Sequence, residues 1–226
     1  MTTLYEACVT SVSQARHAEQ AGADRLELCA RIATGGLTPP ARRISAVRAA
    51  TSLPLHVMIR HDRGDFYCDA MALHRMHTEI AAARHAGADG VVCGVLGRDR
   101  SLDVPAMRGL MAAARGLTVT VHRAFDRVPD QLAVLEELVL LGVDRILTSG
   151  GAPTAPPGAD RLRTLVHAAR GRIGIIAGGG VRAENVRSML AATGVPEVHA
   201  HLTRLREMRA LASAVGREER EVRSEK

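Results

Sequence analysis

One short pattern recurs four times along this chain: Ala21-Gly22-Ala23-Asp24, Ala86-Gly87-Ala88-Asp89, Leu141-Gly142-Val143-Asp144 and, more weakly, Thr193-Gly194-Val195-Pro196. Each copy stops a helical pattern on glycine and launches an apolar, extended run, so the repeated unit is roughly two strand-helix pairs. Extended runs are expected to begin near Leu4, Arg25, Pro54, Gly90, Leu117, Arg145, Ile173 and Glu197, each followed after a short loop by a helix. Strict alternation of this kind requires right-handed crossovers and a parallel sheet, and eight such units predict an α/β fold, a closed (β/α)8 TIM barrel in one domain. The expected organisation is a barrel core over 1–202, a terminal helix over 203–215 and a charged tail over 216–226. A Rossmann-type sheet would need a G-x-G-x-x-G after the first strand, and Val9-Thr10-Ser11-Val12 is not one.

Composition narrows the function classes. No opening apolar run resembles a signal peptide and no stretch approaches the ~20 residues of a membrane span, so a cytoplasmic protein with no membrane partner is expected. Cys8, Cys29, Cys68 and Cys93 lack CxxC spacing and are expected to be reduced. The net charge is +6, but the arginines are spread over all the helices and the only aromatics are Tyr5, Phe66, Tyr67 and Phe125, which argues against a nucleic-acid partner. Lys226 is the only lysine and the last residue, so Schiff-base chemistry is excluded.

In a barrel of this class the site lies at the C-terminal strand ends. There, Glu6 and Cys8 share a face of strand one, and Glu27 and Cys29 share a face of strand two, opposite Leu26 and Leu28. A level register would pair the two thiols and the two carboxylates across adjacent strands. Strand three offers His56, Met58 and Arg60; strand five ends in His122-Arg123-Ala124-Phe125-Asp126. Strand eight is expected over Glu197 to His199, with His201 past its end and both histidines beside Glu6 and Cys8. Two chemistries fit this inventory. Soft thiolate and thioether ligands select Cu(I), and two cysteines on adjacent strands with Met58 or a histidine, His199 or His201, nearby would form a low-coordinate site. Alternatively, Glu6, Glu27, His122 and Asp126 supply proton transfer, the two glutamates pushing each other's pKa apart. The loops Ser149-Gly150-Gly151 and Gly178-Gly179-Gly180 then offer backbone N–H groups which, with Arg60 and Arg123, would hold an anion. Against these stand plainer readings: His56 and Met58 as barrel filling, Cys93 and Cys68 as packing, and His17, His74, His77, His85 and His167 as solvated helix residues.

Together, Glu6-x-Cys8, Ala23-Asp24-Arg25-Leu26-Glu27-Leu28-Cys29, Gly35-Gly36-Leu37-Thr38-Pro39, the Arg60 to Phe66 loop, Val121 to Asp126, Leu147 to Gly151, Ala177 to Arg182 with Glu184-Asn185, and Glu197-Val198-His199 resemble the CutC copper homeostasis family from about Leu4 to His199. The resemblance implies a TIM barrel, a homo-oligomer, and Cu(I) binding through the cysteines that match Cys8 and Cys29, with no organic cofactor. Two departures mark this chain. Family members commonly place Ser or Ala after the strand-eight Val-His, whereas here Ala200-His201-Leu202 adds a second histidine. The segment between His201 and Leu205 is also abbreviated, which leaves the mouth more open or completed by another subunit. The expected function is copper binding, and the alternative is a lyase, isomerase or hydrolase for a phosphorylated or acidic small molecule.

Overall fold

A computed structural model describes residues 3–61 and 64–216; the expected charged tail falls, apart from Gly216, outside them. Eight strands, β1 (Leu4–Val9), β2 (Arg25–Leu28), β3 (Leu55–Met58), β4 (Gly90–Cys93), β5 (Thr118–Val121), β6 (Arg145–Thr148), β7 (Gly174–Gly178) and β8 (Glu197–His201), pair in parallel and in chain order into a closed barrel. Between and after them run α1 (Val12–Gln20), α2 (Ala41–Arg48), α3 (Ala70–His85), α4 (Val104–Ala113), α5 (Gln131–Leu141), α6 (Ala159–Ala169), α7 (Ala183–Thr193) and α8 (Leu205–Ala214). The fold is the TIM barrel that the alternation predicts.

Local chemistry fixes the helix starts. Ser11, Asp69, Asp103 and Asp130 each accept a backbone N–H of the first turn, an interaction that contributes about 1 kcal/mol per cap. Gly142 and Gly194, two glycines of the recurring pattern, take the left-handed conformation that closes α5 and α7. The outward strand faces, including Leu26, Leu28, Val57, Val91, Ile146, Ile175 and Val198, are buried against the helices in one continuous apolar core that also takes in Cys93.

The inward faces differ. At the closed end of the barrel Arg25, His56, Thr118, Arg145 and Glu197 meet in place of the branched aliphatic layers usual in this fold. Gly90 and Gly174 make the room: a Cβ on Gly90 would lie 2.3 Å from Thr118 Oγ1 and 2.6 Å from His56 Cδ2, and one on Gly174 would lie 3.0 Å from Arg145 Cγ. Above this layer a second, small cluster of Cys8, Cys29, Met58 and Val92 is buried apart from the main core.

Two expectations are corrected. The register between β1 and β2 is not level: Glu6 stands opposite Arg25 and Cys8 opposite Glu27, the stagger a closing barrel requires. And β8 runs two residues further than expected, so His201 lies on the strand, level with Cys8, and not past its end.

Candidate functional site

β1 and β2 carry the first part of the site. Although the register is staggered, Cys29 lies just beyond β2, its N–H bonded to the Val9 carbonyl, and its Sγ comes within 3.5 Å of Cys8 Sγ. Both thiols are fully buried and form no disulfide. Gly36, at φ +87°, brings the following loop over them; a Cβ there would lie 3.4 Å from both Cys29 Cβ and Met58 Cε. With Glu27, the thiols form a group whose possible ligand atoms lie within 4.8 Å of one another. The Cys29 hydrogen bond, burial and the Glu27 carboxyl all push the Cys8 thiol well above its ordinary pKa.

The two glutamates do not touch as an adjacent pair; the His199 ring stands between them. Its Nδ1 is 2.7 Å from Glu6 Oε1 and its Nε2 is 3.6 Å from Glu27 Oε2. Arg25 is buried and clamps Glu6 from one side and Glu197 from the other, while Arg145 reaches Glu197 as well. Burial would raise Glu6, but Arg25 and the His199 hydrogen bond outweigh it and hold that carboxyl well below the usual range. Glu27 has no such clamp: burial, aided by Glu6, raises it against the pull of His199, and its Oε1 is buried with no hydrogen-bond partner. Burial alone would lower His199, yet the Glu27 and Glu6 carboxylates raise it. Glu6 is therefore an anchored anion, and Glu27 with His199 forms a couple able to hold or pass one proton.

Above Glu27 opens a cavity of about 800 Å³ lined by Ile32, Met58, Phe66 and Leu147 on its apolar side and by Arg60, His122, Arg127 and Arg182 on its polar side. Arg60 stacks its guanidinium 4.5 Å from the Phe66 ring centre, and Phe66 lies 5.0 Å from His122. Burial, reinforced by Arg60, lowers His122 to about 3. Its Nδ1 accepts the Ala124 N–H, which leaves the proton on Nε2.

Asp126 is brought to the same rim but turned away from the glutamates. Its carboxylate accepts from Thr148 Oγ1, the Ser149 N–H and Oγ, the Gly151 N–H and Arg123 Nε. Gly150 donates to Thr148 Oγ1 and packs against the 3-10 turn Pro156–Gly158. The loop after β6 thus already holds an internal anion, and Gly150 and Gly151 carry no N–H left over for a ligand. Gly179 and Gly180, in contrast, line the cavity with Arg123 beside them.

The spacing rules missed Arg25, whose side chain orders the whole carboxylate group. Its signal was present: Arg25, Glu27 and Cys29 alternate along one strand face. His56 is more than filling, since it hydrogen-bonds Thr118 and lies 3.9 Å from Glu6. Of the helix histidines, His74, His77, His85 and His167 are exposed, and His17 is half-buried.

Comparison with known proteins places this geometry. The model of the CutC family matches residues 3–203. A CutC family protein of Vibrio parahaemolyticus is 42% identical over 201 residues, 88% of this chain and 81% of that protein. The human copper homeostasis protein cutC homolog is 41% identical over 196 residues, 87% of this chain and 72% of that one. A crystal structure of CutC from Streptococcus agalactiae superimposes with a TM-score of 0.83 at 32% identity, covering 87% of this chain and 97% of the other. On that family match and on those relatives, the chain belongs to the CutC family and is a homologue of its copper homeostasis proteins.

Proposed function

We propose that this protein binds Cu(I) in the cytoplasm through the Cys8 and Cys29 thiolates. The observation that carries the reading is the 3.5 Å approach of two buried thiols on adjacent strands. Two sulfurs each about 2.3 Å from a metal at a trigonal angle lie about 4 Å apart, so a small opening admits the ion in a bent, low-coordinate geometry. The soft Met58 side chain packs beside them, and Glu27 supplies a third donor within reach. His199 is engaged with the two glutamates and His201 Nδ1 with the Cys8 carbonyl, which places both histidines second to the thiols as ligands. The human relative's name includes copper homeostasis, which accords with metal as the cargo. An anaerobic Cu(I) competition titration on reduced protein is expected to give one-to-one binding that the Cys8→Ser, Cys29→Ser variant loses. Unchanged affinity in that variant would sink the thiol site.

A second reading is favoured by a separate observation. A thiol site, even with Glu27 as a third donor, has no use for a His199 ring held between Glu27 and the Arg25-clamped Glu6 beside the cavity that Glu27 and His199 line. That array is suited to acid–base chemistry on a small anionic molecule, with Glu27 and His199 exchanging the proton, Glu6 and Arg25 orienting the imidazole, and His122 donating to a developing oxyanion. Glu27→Gln is expected to abolish turnover of such a substrate while leaving most Cu(I) affinity in place; retained turnover would remove Glu27 from this role. Homo-oligomerisation, tested by sedimentation, completes the proposal.

A further inference from the structure

The copper reading uses the thiols and leaves the upper cavity unassigned, and two sets of donors there lack protein partners. His122 lines the cavity and is 4% exposed, and its Nε2 is buried without a hydrogen-bond partner. Leaving such an N–H unpaired in the interior is costly, and a ligand oxygen would offset that cost. After β7, Gly179 and Gly180 turn at φ +97° and +72°, and no hydrogen bond among the described residues engages either N–H. Arg123 stands against Gly179. Its Nε and Nη2 are held by Asp126, Ser149 and the Ala152 and Pro153 carbonyls, which fixes Nη1 about where Gly179 would carry a side chain, 3.1 Å from the position of that Cβ. The fixed guanidinium and the two adjacent unengaged N–H groups put three donors on one side of the mouth, a set that suits the several equivalent oxygens of a phosphate better than the two of a carboxylate.

We infer that the barrel mouth is a two-point binding site for a small organic phosphate bearing a carbonyl oxygen: the phosphate on Arg123 Nη1 and the Gly179 and Gly180 N–H groups, the carbonyl on the Nε2–H of His122. β5 and β7 are two strand spacings apart, about 10 Å. Two hydrogen bonds of about 2.8 Å and a three-carbon phosphate of about 5 Å fill that span. The inference goes beyond copper binding and deepens the acid–base reading by naming its ligand class, but it concerns binding and not turnover.

The test is equilibrium binding of inorganic phosphate, 3-hydroxypropyl phosphate, which lacks only the carbonyl oxygen, and dihydroxyacetone phosphate to the reduced full-length protein. Dihydroxyacetone phosphate is expected to bind about fivefold more tightly than 3-hydroxypropyl phosphate, the contribution of one hydrogen bond. His122→Asn keeps an acceptor for the Ala124 N–H but loses the outward donor, and should erase that difference while leaving inorganic phosphate binding unchanged. Gly179→Ala should weaken all three by about tenfold through the displaced Arg123 contact. Nitrogen NMR of the histidine rings needs no variant: the His122 Nε2 resonance should move with dihydroxyacetone phosphate and stay put with inorganic phosphate. No binding of any phosphate, equal binding of the two organic probes, or an unmoved His122 signal would each overturn the proposal. Binding without turnover would leave it standing and count against the acid–base reading; turnover of an unphosphorylated compound without phosphate binding would do the reverse.

Discussion

Arg25 has the least replaceable side chain in the interior. It is almost fully enclosed and neutralises Glu6 and Glu197, so its removal would leave two carboxylates in a space closed to water. Arg25→Met is therefore expected to destabilise the fold by about 3–5 kcal/mol in urea denaturation, whereas Glu6→Gln, which removes one charge of the group, should cost less. A smaller effect for Arg25→Met than for Glu6→Gln would mean that the charges are screened by water. The same residue illustrates how far a sequence can be read. Glu6, Cys8, Glu27 and Cys29 stand out because their types are unusual in a strand. Arg25 was hidden among thirty basic residues that mostly lie on solvated surface, and only its two-residue spacing from Glu27 distinguished it. Asp126 was legible as a strand-end carboxylate, but its turn inward onto Thr148, Ser149 and Gly151 depends on a loop conformation with no local sequence rule.

Among the elements, the starts of β1, β2, β4, β6 and β8 were legible to the residue because glycine stops and apolar runs are local signals. The stagger between β1 and β2 was not, because register in a barrel is set by closure of the whole sheet. The length of β8 was missed for a related reason: its Glu197-Val198-His199-Ala200-His201 alternates without interruption, but polar residues on the inner face masked it as loop. β4 carries the clearest element-level test. Gly90 leaves the space that His56 and Thr118 occupy, and Gly90→Ala is expected to cost about 1–3 kcal/mol by overpacking. Combining it with His56→Ala should recover part of that loss, so the two changes should not add. Strict additivity would show that the His56 ring does not fill this gap.

For the molecule as a whole, two enclosed histidines set an acid limit. Burial lowers His56 to about 4 and His122 to about 3, both from an ordinary value of 6.5. Each stays neutral in the fold while its unfolded counterpart takes up a proton below pH 6.5, so the unfolded state binds more protons there and stability falls as pH drops from 6.5 toward 4. Denaturation midpoints across that window should fall less steeply in a His56→Gln, His122→Asn variant; identical slopes would place the acid sensitivity elsewhere. The ionic layer formed by Arg25, Arg145 and Glu197 has one further consequence. It fills the floor of the barrel, so among the described residues the thiols, fully enclosed, lie beneath the mouth cavity that Glu27 and Met58 line. On the proposed copper and phosphate readings, traffic through that mouth is a queue: a ligand seated near Gly179 and His122 would stand in the metal's way in both directions, slowing its arrival and its departure together and leaving their ratio as it was.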